Sequence, residues 1–257
     1  MKRNISMHEH VGDWKSTNEE EKNREDFYEL FKNTPIAKDE LMYNLGLFIN
    51  RQSWSRVLFL HELYQKIITV PGHIVEFGAR YGQTMAFFTC LRGIYEPFNW
   101  SRKIIGFDTF EGFPNDPHLK DGNAAAAAKG AYSVEPGYEK ILEKILTYHE
   151  SESPISHIKK FELIKGDTMK TLDEYLEKNP QTVISLAYID FNLYEPTKHC
   201  LEKIKPHLTK GSVIAFDDFN HDAFPGETVA IREVLGLDNL TIKRVPYQPW
   251  GAYAVIE

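Results

Sequence analysis

The chain has 257 residues, 42% of them hydrophobic and 13% aromatic, which suits one large α/β domain with a substantial core. Its formal net charge of −7 disfavours a nucleic-acid partner, because binding a phosphate backbone requires a basic surface. No uncharged run is long enough to cross a bilayer, and the amino terminus lacks the apolar segment of a secretion signal. We therefore expect a cytoplasmic protein without a membrane partner.

The two cysteines are Cys90 and Cys200, each within an apolar, helix-like segment. Neither belongs to a Cys-x-x-Cys pair, which would indicate zinc or redox chemistry. We expect two free, buried thiols in a reducing compartment.

Residues 1–70 are predicted to form a helical extension ahead of a single domain, residues 71–257. The start is polar and charged, and Phe27, Leu30 and Phe31 then follow at helical spacing, which indicates a disordered start and an amphipathic helix. Further apolar residues at intervals of three and four predict more helix. The extension could cover the sheet, form part of a substrate lid or join subunits. We expect a homo-oligomer.

The stretch that follows reads as strand, tight turn and helix. A short apolar run from His73 to Phe77 is followed by Gly78 and Gly82, and a helix-like run then begins at Gln83. Glycine allows unusual dihedral angles and close approach of a ligand, and a helix N-terminus presents unpaired N–H groups. The pattern fits a cradle for a small molecule, but it is equally typical of simple strand-to-helix packing.

A second buried strand, residues 103–108, ends at Asp108. In a doubly wound sheet an acidic residue at this position can accept hydrogen bonds from ribose hydroxyls. It can also simply cap the following turn. The long connection at residues 109–134, rich in glycine, proline and alanine, is expected to be a lid, a binding loop or a mobile insert.

Further strands are predicted at residues 161–164, 182–190 and 212–218, with helices between them, and residues 240–245 and 251–256 are placed to form a hairpin. Strands that read as continuous apolar runs and alternate with helices indicate a mostly parallel sheet covered on both faces. The predicted fold is a Rossmann-like, doubly wound α/β domain.

Five carboxylates fall at the carboxyl ends of predicted strands, so the fold would gather them along one edge of the sheet. They are Glu76, Asp108, Asp190, Asp217 and Asp218. Like charges held close together raise one another's pKa or recruit a cation. We expect a hard metal at the last three, with Mg²⁺ favoured over Mn²⁺ or Ca²⁺, and a positively charged cosubstrate near Glu76. The alternative is that Asp217 and Asp218 only cap a turn.

Several segments carry a family resemblance. Glu76 to Gly82 resembles the first motif of class I S-adenosylmethionine (SAM) dependent methyltransferases. Asp108 to Pro114 reads Asp-Thr-Phe-Glu-Gly-Phe-Pro and resembles the Asp-Ser-Phe-Glu-Gly-Leu-Pro stretch of the macrocin O-methyltransferase family, which includes enzymes that methylate sugar hydroxyls in antibiotic biosynthesis. Asp190 to Thr197 is similar to that family's Asp-Gly-Asp-Leu-Tyr-Glu-Ser-Thr, and Asp217-Asp218 matches its Asp-Asp.

The resemblance implies a SAM- and Mg²⁺-dependent O-methyltransferase that acts on a nucleotide-linked deoxysugar or a glycosylated natural product. It also implies seven strands with an antiparallel last strand, as the terminal hairpin suggests independently. The metal ligands would be Asp190, Asp217 and Asp218. The implied cofactor residues are Glu76, Gly78, Ala79, Arg80, Tyr81, Gly82 and Thr84 for the methionine part, Asp108, Thr109 and Phe110 at the ribose, Gly166, Asp167 and Thr168 at the adenine, and Asp190.

The sequence offers two candidates for the general base. Asn192 stands where the family often has a second Asp, which puts the role of that position in doubt. Asp190 could act as base while bound to metal. His221 is the other candidate, because its unperturbed pKa lies near neutrality; the alternative for His221 is a solvated loop residue.

Three other functions compete with sugar methylation. A catechol-type phenol O-methyltransferase uses a similar carboxylate cluster, and a non-catalytic SAM-binding protein would share the cofactor site. A nicotinamide dehydrogenase is disfavoured, because Gly78 and Gly82 do not form the three-glycine fingerprint for a pyrophosphate.

Overall fold

The computed structural model describes residues 16–122 and 127–257, and the chain divides into two units between Arg56 and Val57. The predicted disordered start and part of the alanine run therefore lie outside the described residues. The boundary predicted at residue 70 stays a prediction. No described helix is both long and apolar enough to cross a membrane.

The first unit contains short helices. Helix α1 (Asn18–Lys32) begins at a capping box, in which the Thr17 side chain accepts from the Glu20 N–H and the Glu20 carboxylate accepts from the Thr17 N–H. Phe27 and Phe31 of α1 both contact the ring of Phe48, and the predicted helix is confirmed. Helix α2 (Lys38–Tyr43) and a 3₁₀ turn (Leu45–Leu47) follow.

The second unit alternates strands and helices, and helix α3 (Arg51–Ile67) leads into it from the first. The remaining elements in order are β1 (His73–Phe77), α4 (Gln83–Tyr95), β2 (Ile104–Asp108), α5 (Tyr138–Ser151), β3 (Phe161–Lys165), α6 (Thr168–Lys178), β4 (Ile184–Ile189), α7 (Tyr194–Ile204), β5 (Leu208–Phe216), α8 (Pro225–Val234), β6 (Ile242–Arg244) and β7 (Ala252–Val255). Short 3₁₀ turns occur at Leu119–Asp121 and Lys205–His207.

The seven strands form one sheet in the order β3-β2-β1-β4-β5-β7-β6. Strands β1 to β5 are parallel, and β7 runs antiparallel to both β5 and β6. The Rossmann-like doubly wound sheet, the antiparallel last strand and the terminal hairpin are thus confirmed. The chain reverses direction across the sheet between β1 and β4, and ligands bind at the carboxyl edge of such a switch point.

Alternate residues of the central strands form two apolar cores, one on each face of the sheet. One core includes Ile74 and Tyr188 and is covered by side chains of α3, α4 and α5. The other includes Val75 and Ile189 and is covered by α6, α7 and α8. Both faces of the parallel strands are therefore buried, as the continuous apolar runs indicated.

Candidate active site

The loop between β1 and α4 follows an unusual backbone path. Three of its residues have positive φ: Gly78 at +96°, Arg80 at +46° and Gly82 at +74°. A Cβ on Gly78 would lie 2.0 Å from the backbone oxygen of Asp190, and one on Gly82 would lie 2.3 Å from a methyl carbon of Leu142. Close packing of the chain against itself therefore explains both glycines, and the ability of the loop to bind a ligand has to be judged from its other residues.

Asp108 holds this loop in place. Its carboxylate accepts the Arg80 N–H at 2.7 Å and the Phe110 N–H at 2.5 Å. Burial raises the pKa of Asp108, and these two hydrogen bonds act in the opposite direction. Asp108 thus caps the turn that follows β2, which was the alternative to ribose binding, and each of its oxygens retains a second lone pair for a ligand.

Arg80 lies between two aromatic rings. Its guanidinium carbon is 5.0 Å from the ring centroid of Tyr81 and 5.0 Å from that of Tyr132, within cation–π range. The Arg80 Nε atom is buried and has no hydrogen-bond partner among the described residues. A buried donor without an acceptor is costly, so this position suits a ligand that brings an oxygen acceptor.

The segment predicted at the adenine lies beside Asp108. Gly166 has φ +142°, and its N–H donates to the backbone oxygen of Asp108 at 2.9 Å. Asp167 is the N-cap of α6 and accepts the Met169 N–H at 3.2 Å, and Thr168 is buried. The predicted ribose and adenine segments are therefore adjacent.

The other residues predicted to bind cofactor surround the same loop. Glu76, the penultimate residue of β1, is 1% exposed and pairs in register with Tyr188 of β4. The Thr109 hydroxyl donates to the backbone oxygen of Gly112 at 2.7 Å, which shapes the next loop. Ala79, Thr84 and Phe110 are buried, and Tyr81 is exposed.

The carboxyl ends of β4 and β5 bring Asp190, Asp217 and Asp218 together. One carboxylate oxygen from each lies within 4.8 Å of the others, so three oxygen ligands are available to one ion. Tyr188 donates its hydroxyl to Asp217, and Asn192 donates its amide to Asp218. We call these three aspartates the acidic group.

A fourth carboxylate, which the sequence analysis missed, lies behind the acidic group. Glu227 in the first turn of α8 is fully buried, and its Oε1 accepts the Asp218 N–H at 3.2 Å. Burial and the charges of Asp218 and Asp190 raise the pKa of Glu227 well above its usual range. Its Oε2 has no hydrogen-bond partner in the part of the chain that the structure describes.

His221 is not a solvated loop residue, so that alternative is wrong: it is 2% exposed, and its ring centroid lies 4.2 Å from that of Trp250. Its Nδ1 accepts the Ala223 N–H at 3.0 Å. In the neutral ring this hydrogen bond assigns the proton to Nε2. His221 would have to break its bond to Ala223 before Nδ1 could accept another proton.

Hydrogen bonds anchor the described parts of the 109–134 connection. Phe113 exchanges backbone hydrogen bonds with Gly130 and Ala131. Asp121 is buried, and its carboxylate accepts the His118 N–H at 2.7 Å and the Tyr194 N–H at the start of α7 at 2.6 Å. These contacts join the connection to the helix that follows Asp190.

Tyr132 of the same connection was also missed by the sequence analysis. Its ring contacts those of Phe113 and Phe224. Burial raises the pKa of Tyr132, and the charges of Asp218 and Asp190 raise it further. The negative charge of the acidic group therefore acts on the Tyr132 phenol.

Comparison with known proteins identifies relatives of the chain. Residues 75–219 match the family model described as a methyltransferase domain. A crystal structure of CalS11, a calicheamicin methyltransferase, has 42% sequence identity and a TM-score of 0.90, with 93% of each chain covered. The apo structure of CalS11, described as a TDP-rhamnose 3′-O-methyltransferase of calicheamicin biosynthesis, has 39% identity and a TM-score of 0.82 and covers 97% of this chain and 98% of that one.

The O-methyltransferase NovP is more distant, with 18% identity, a TM-score of 0.61 and 79% of each chain covered, and indicates a shared fold alone. No curated protein sequence matches the chain.

Proposed function

Since the chain belongs to the methyltransferase domain family and is a SAM-dependent O-methyltransferase, we propose that its acceptor is a sugar hydroxyl activated by a divalent metal. The predicted membership of the class I SAM-dependent methyltransferases is confirmed. The acidic group, in a chain 42% identical to a calicheamicin methyltransferase, is the observation that carries the proposal. The proposed acceptor class is a nucleotide-linked deoxysugar, as in the relative that acts on TDP-rhamnose.

The residues of the β1–α4 loop fit SAM. The buried Nε of Arg80 lacks an acceptor among the described residues, and the carboxylate of SAM would supply one. Asp108 retains lone pairs for the ribose hydroxyls, and Gly166 to Thr168 lie beside it. Glu76 is a buried carboxylate on the strand that enters the loop, suited to a cation. When bound, SAM supplies a methyl group on a positively charged sulfur.

The acidic group fits a hard divalent cation. Three carboxylate oxygens within 4.8 Å of one another concentrate negative charge that a cation would offset. Oxygen ligands favour Mg²⁺ over zinc. Such an ion favours the deprotonated form of a bound hydroxyl, which is otherwise a poor nucleophile.

The neighbouring side chains would orient these ligands. The Tyr188 hydroxyl and the Asn192 amide each donate to one aspartate, and Glu227 accepts from the Asp218 backbone. Groups that hydrogen-bond metal ligands fix their direction. We assign Asp190 as the proton acceptor and retain His221 as the second candidate, whose Nδ1 is occupied by the Ala223 N–H.

The test is a methyl-transfer assay with SAM, Mg²⁺ and TDP-rhamnose. We expect transfer by the wild type, a loss of at least about 100-fold in Asp217→Ala because a metal ligand is removed, and micromolar binding of S-adenosylhomocysteine (SAH) to both proteins. Calorimetry measures the binding. Asp173→Asn is the matched control, because Asp173 lies on α6 and pairs with His199 and Lys203; it should retain wild-type turnover.

Each part of the proposal has its own contradicting result. Unchanged turnover in a chelator would contradict the metal, and an absence of SAH binding at millimolar concentration would contradict the cofactor site. A protein that methylates catechols and leaves TDP-rhamnose unchanged would favour the phenol alternative. A protein that binds SAM and methylates neither would contradict the proposed acceptor class.

A further inference from the structure

Tyr132 connects the two halves of the proposed site. On one side, the guanidinium of Arg80 lies 5.0 Å from its ring centroid, and Arg80 belongs to the loop after β1. On the other side, its ring contacts Phe224, which lies in the loop that follows Asp217 and Asp218 and whose own ring contacts His221; the charges of the acidic group act on the phenol in the same direction as burial. A single side chain therefore contacts both the loop after β1 and the loop that begins at the acidic group.

The backbone of Tyr132 is held in a conformation that aromatic residues rarely adopt. Its φ is +61°, in the left-handed region. The hydrogen bonds between Phe113 and the Gly130–Ala131 segment fix the chain just before it, and the rings of Phe113 and Phe224 flank its side chain. Such a conformation persists only where the surrounding structure imposes it, and it concentrates at functional sites.

The reaction makes the position of Tyr132 significant. An acceptor oxygen must lie close to the methyl group, which belongs to the cofactor side, and close to the metal, which belongs to the acidic group. Tyr132 contacts a residue of the loop on each of these two sides, Arg80 and Phe224. Tyr138 provides a contrast, because its phenol donates to the Tyr81 backbone oxygen at 3.2 Å on the cofactor side.

We propose that Tyr132 is a positioning residue of the acceptor site: its ring holds the Arg80 side chain, and its hydroxyl hydrogen-bonds the acceptor sugar so that the reacting oxygen faces the methyl group. This inference rests on the proposed function, since it takes the acidic group as the place where the acceptor binds. The ring and the hydroxyl of Tyr132 thus have two separable roles, one toward Arg80 and one toward the acceptor.

Two substitutions separate these tasks. Tyr132→Phe keeps the ring and removes the hydroxyl, and Tyr132→Leu removes both. For Tyr132→Phe we expect kcat/KM for TDP-rhamnose to fall about 10- to 100-fold, the effect of losing a hydrogen bond to a charged or polarised group, with SAH affinity unchanged. For Tyr132→Leu we expect the same loss, and SAH binding weaker by about 3- to 10-fold because Arg80 loses one of its two rings.

The control is Tyr148→Phe on α5, whose hydroxyl donates to Glu152 at 3.0 Å on the protein surface. It should match the wild type in kcat/KM and in SAH affinity. Calorimetric titration of the SAH-loaded proteins with TDP-rhamnose adds a measurement that needs no turnover, and Tyr132→Phe should weaken this binding. Near-wild-type unfolding temperatures of the variants check their folding.

The results distinguish failure of this inference from failure of the proposed function. Wild-type kcat/KM in Tyr132→Phe, alongside an active wild type, overturns the inference alone. Equal losses of SAH affinity in both variants overturn it as well, since the hydroxyl and the ring would then act together on the cofactor loop. A wild type that neither binds nor methylates TDP-rhamnose overturns the proposed acceptor and this inference with it.

Discussion

Buried charge is arranged in opposite ways at the two ends of the strands. At the amino ends of β2 and β3, Glu150 forms ion pairs with Arg92 and, at 2.8 Å, with Lys160, and all three side chains are at most 4% exposed. At the carboxyl ends of β4 and β5, carboxylates lie beside carboxylates: burial and the charges of Asp218 and Asp190 raise the pKa of Glu227 well above its usual range.

The balanced cluster is built to hold elements together. Arg92 lies on α4, Glu150 lies on α5 and Lys160 precedes β3, and the Arg92 guanidinium also donates to the backbone oxygen of Lys160 at 2.9 Å. Burial lowers the pKa of Arg92 to about 10, which still leaves it charged at neutral pH. The charge of Glu96 acts against burial, and the ion pair with Glu150 joins α4 to α5.

The acidic group has the reverse character. Like charges at short range destabilise the folded state, and a protein retains them where a ligand or a reaction requires them. Neutralising one carboxylate should therefore have opposite effects on stability at the two ends of the sheet.

The largest expected effect comes from breaking the balanced cluster. Glu150→Gln leaves Arg92 and Lys160 buried without their negative partner, so we expect the free energy of unfolding to fall by about 3–5 kcal/mol. Urea unfolding followed by circular dichroism measures the change.

Glu143→Gln is the control for this prediction. Glu143 pairs with Lys159 at 2.5 Å, but both side chains are more than half exposed, and such pairs contribute about 0–1 kcal/mol. If the two variants unfold at the same urea concentration, the buried cluster does not hold these elements together.

Neutralising a carboxylate of the acidic group should give a smaller change of opposite sign. Asp217→Asn retains an oxygen that can accept the Tyr188 hydroxyl, and it reduces the repulsion from Asp190 and Asp218. We expect the metal-free protein to gain about 0.5–2 kcal/mol of stability. The same variant should lose the increase in unfolding temperature that Mg²⁺ gives the wild type by mass action.

Thermal unfolding with and without Mg²⁺ measures both effects. Asp173→Asn, which removes an aspartate from an exposed pair with Lys203, should show no such gain and should keep the response to Mg²⁺. A destabilised Asp217→Asn variant in metal-free buffer would mean that the acidic group is already neutralised by the protein.

The sequence predicted the sheet and the acidic group because both follow from strong periodic signals. Apolar runs mark the strands, and in a parallel sheet their carboxyl ends must meet at one edge, so Asp190, Asp217 and Asp218 could be brought together without coordinates. The same reasoning could not decide whether Asp108 binds ribose or caps a turn, because one carboxylate can do both.

Glu227 and Tyr132 could not be found in this way. Glu227 follows Pro225 in the first turn of a helix, where an acidic residue commonly interacts with the helix dipole, so nothing in its local sequence signals burial against Asp218. The position of Tyr132 depends on the path of a long connection, whose sequence has no hydrophobic periodicity from which a structure could be predicted.

Asn192 was identified as a departure from the family pattern, and the structure gives it a physical reason. It has φ +62°, a conformation that Asn tolerates, and its amide donates to Asp218. An aspartate there would add a further negative charge and could not donate when ionised.

The smallest expected effect belongs to an ion pair between Lys120 of the 109–134 connection and Glu233 of α8. Hydrogen bonds from Lys120 and Tyr194 lower the pKa of Glu233 to about 2, against 4.5 for an ordinary glutamate. Because the unfolded chain binds this proton at higher pH than the folded protein, the contribution of Glu233 to stability is present above pH 4.5 and is lost as the pH falls toward 2. Glu233→Gln should therefore reduce the loss of stability with acid in that window, and Lys120→Met should reduce it in part.

Urea midpoints at a series of pH values measure how steeply stability changes with pH. Identical pH dependence in the wild type and Glu233→Gln would show that this pair does not tie residue 120 of the connection to α8 in solution.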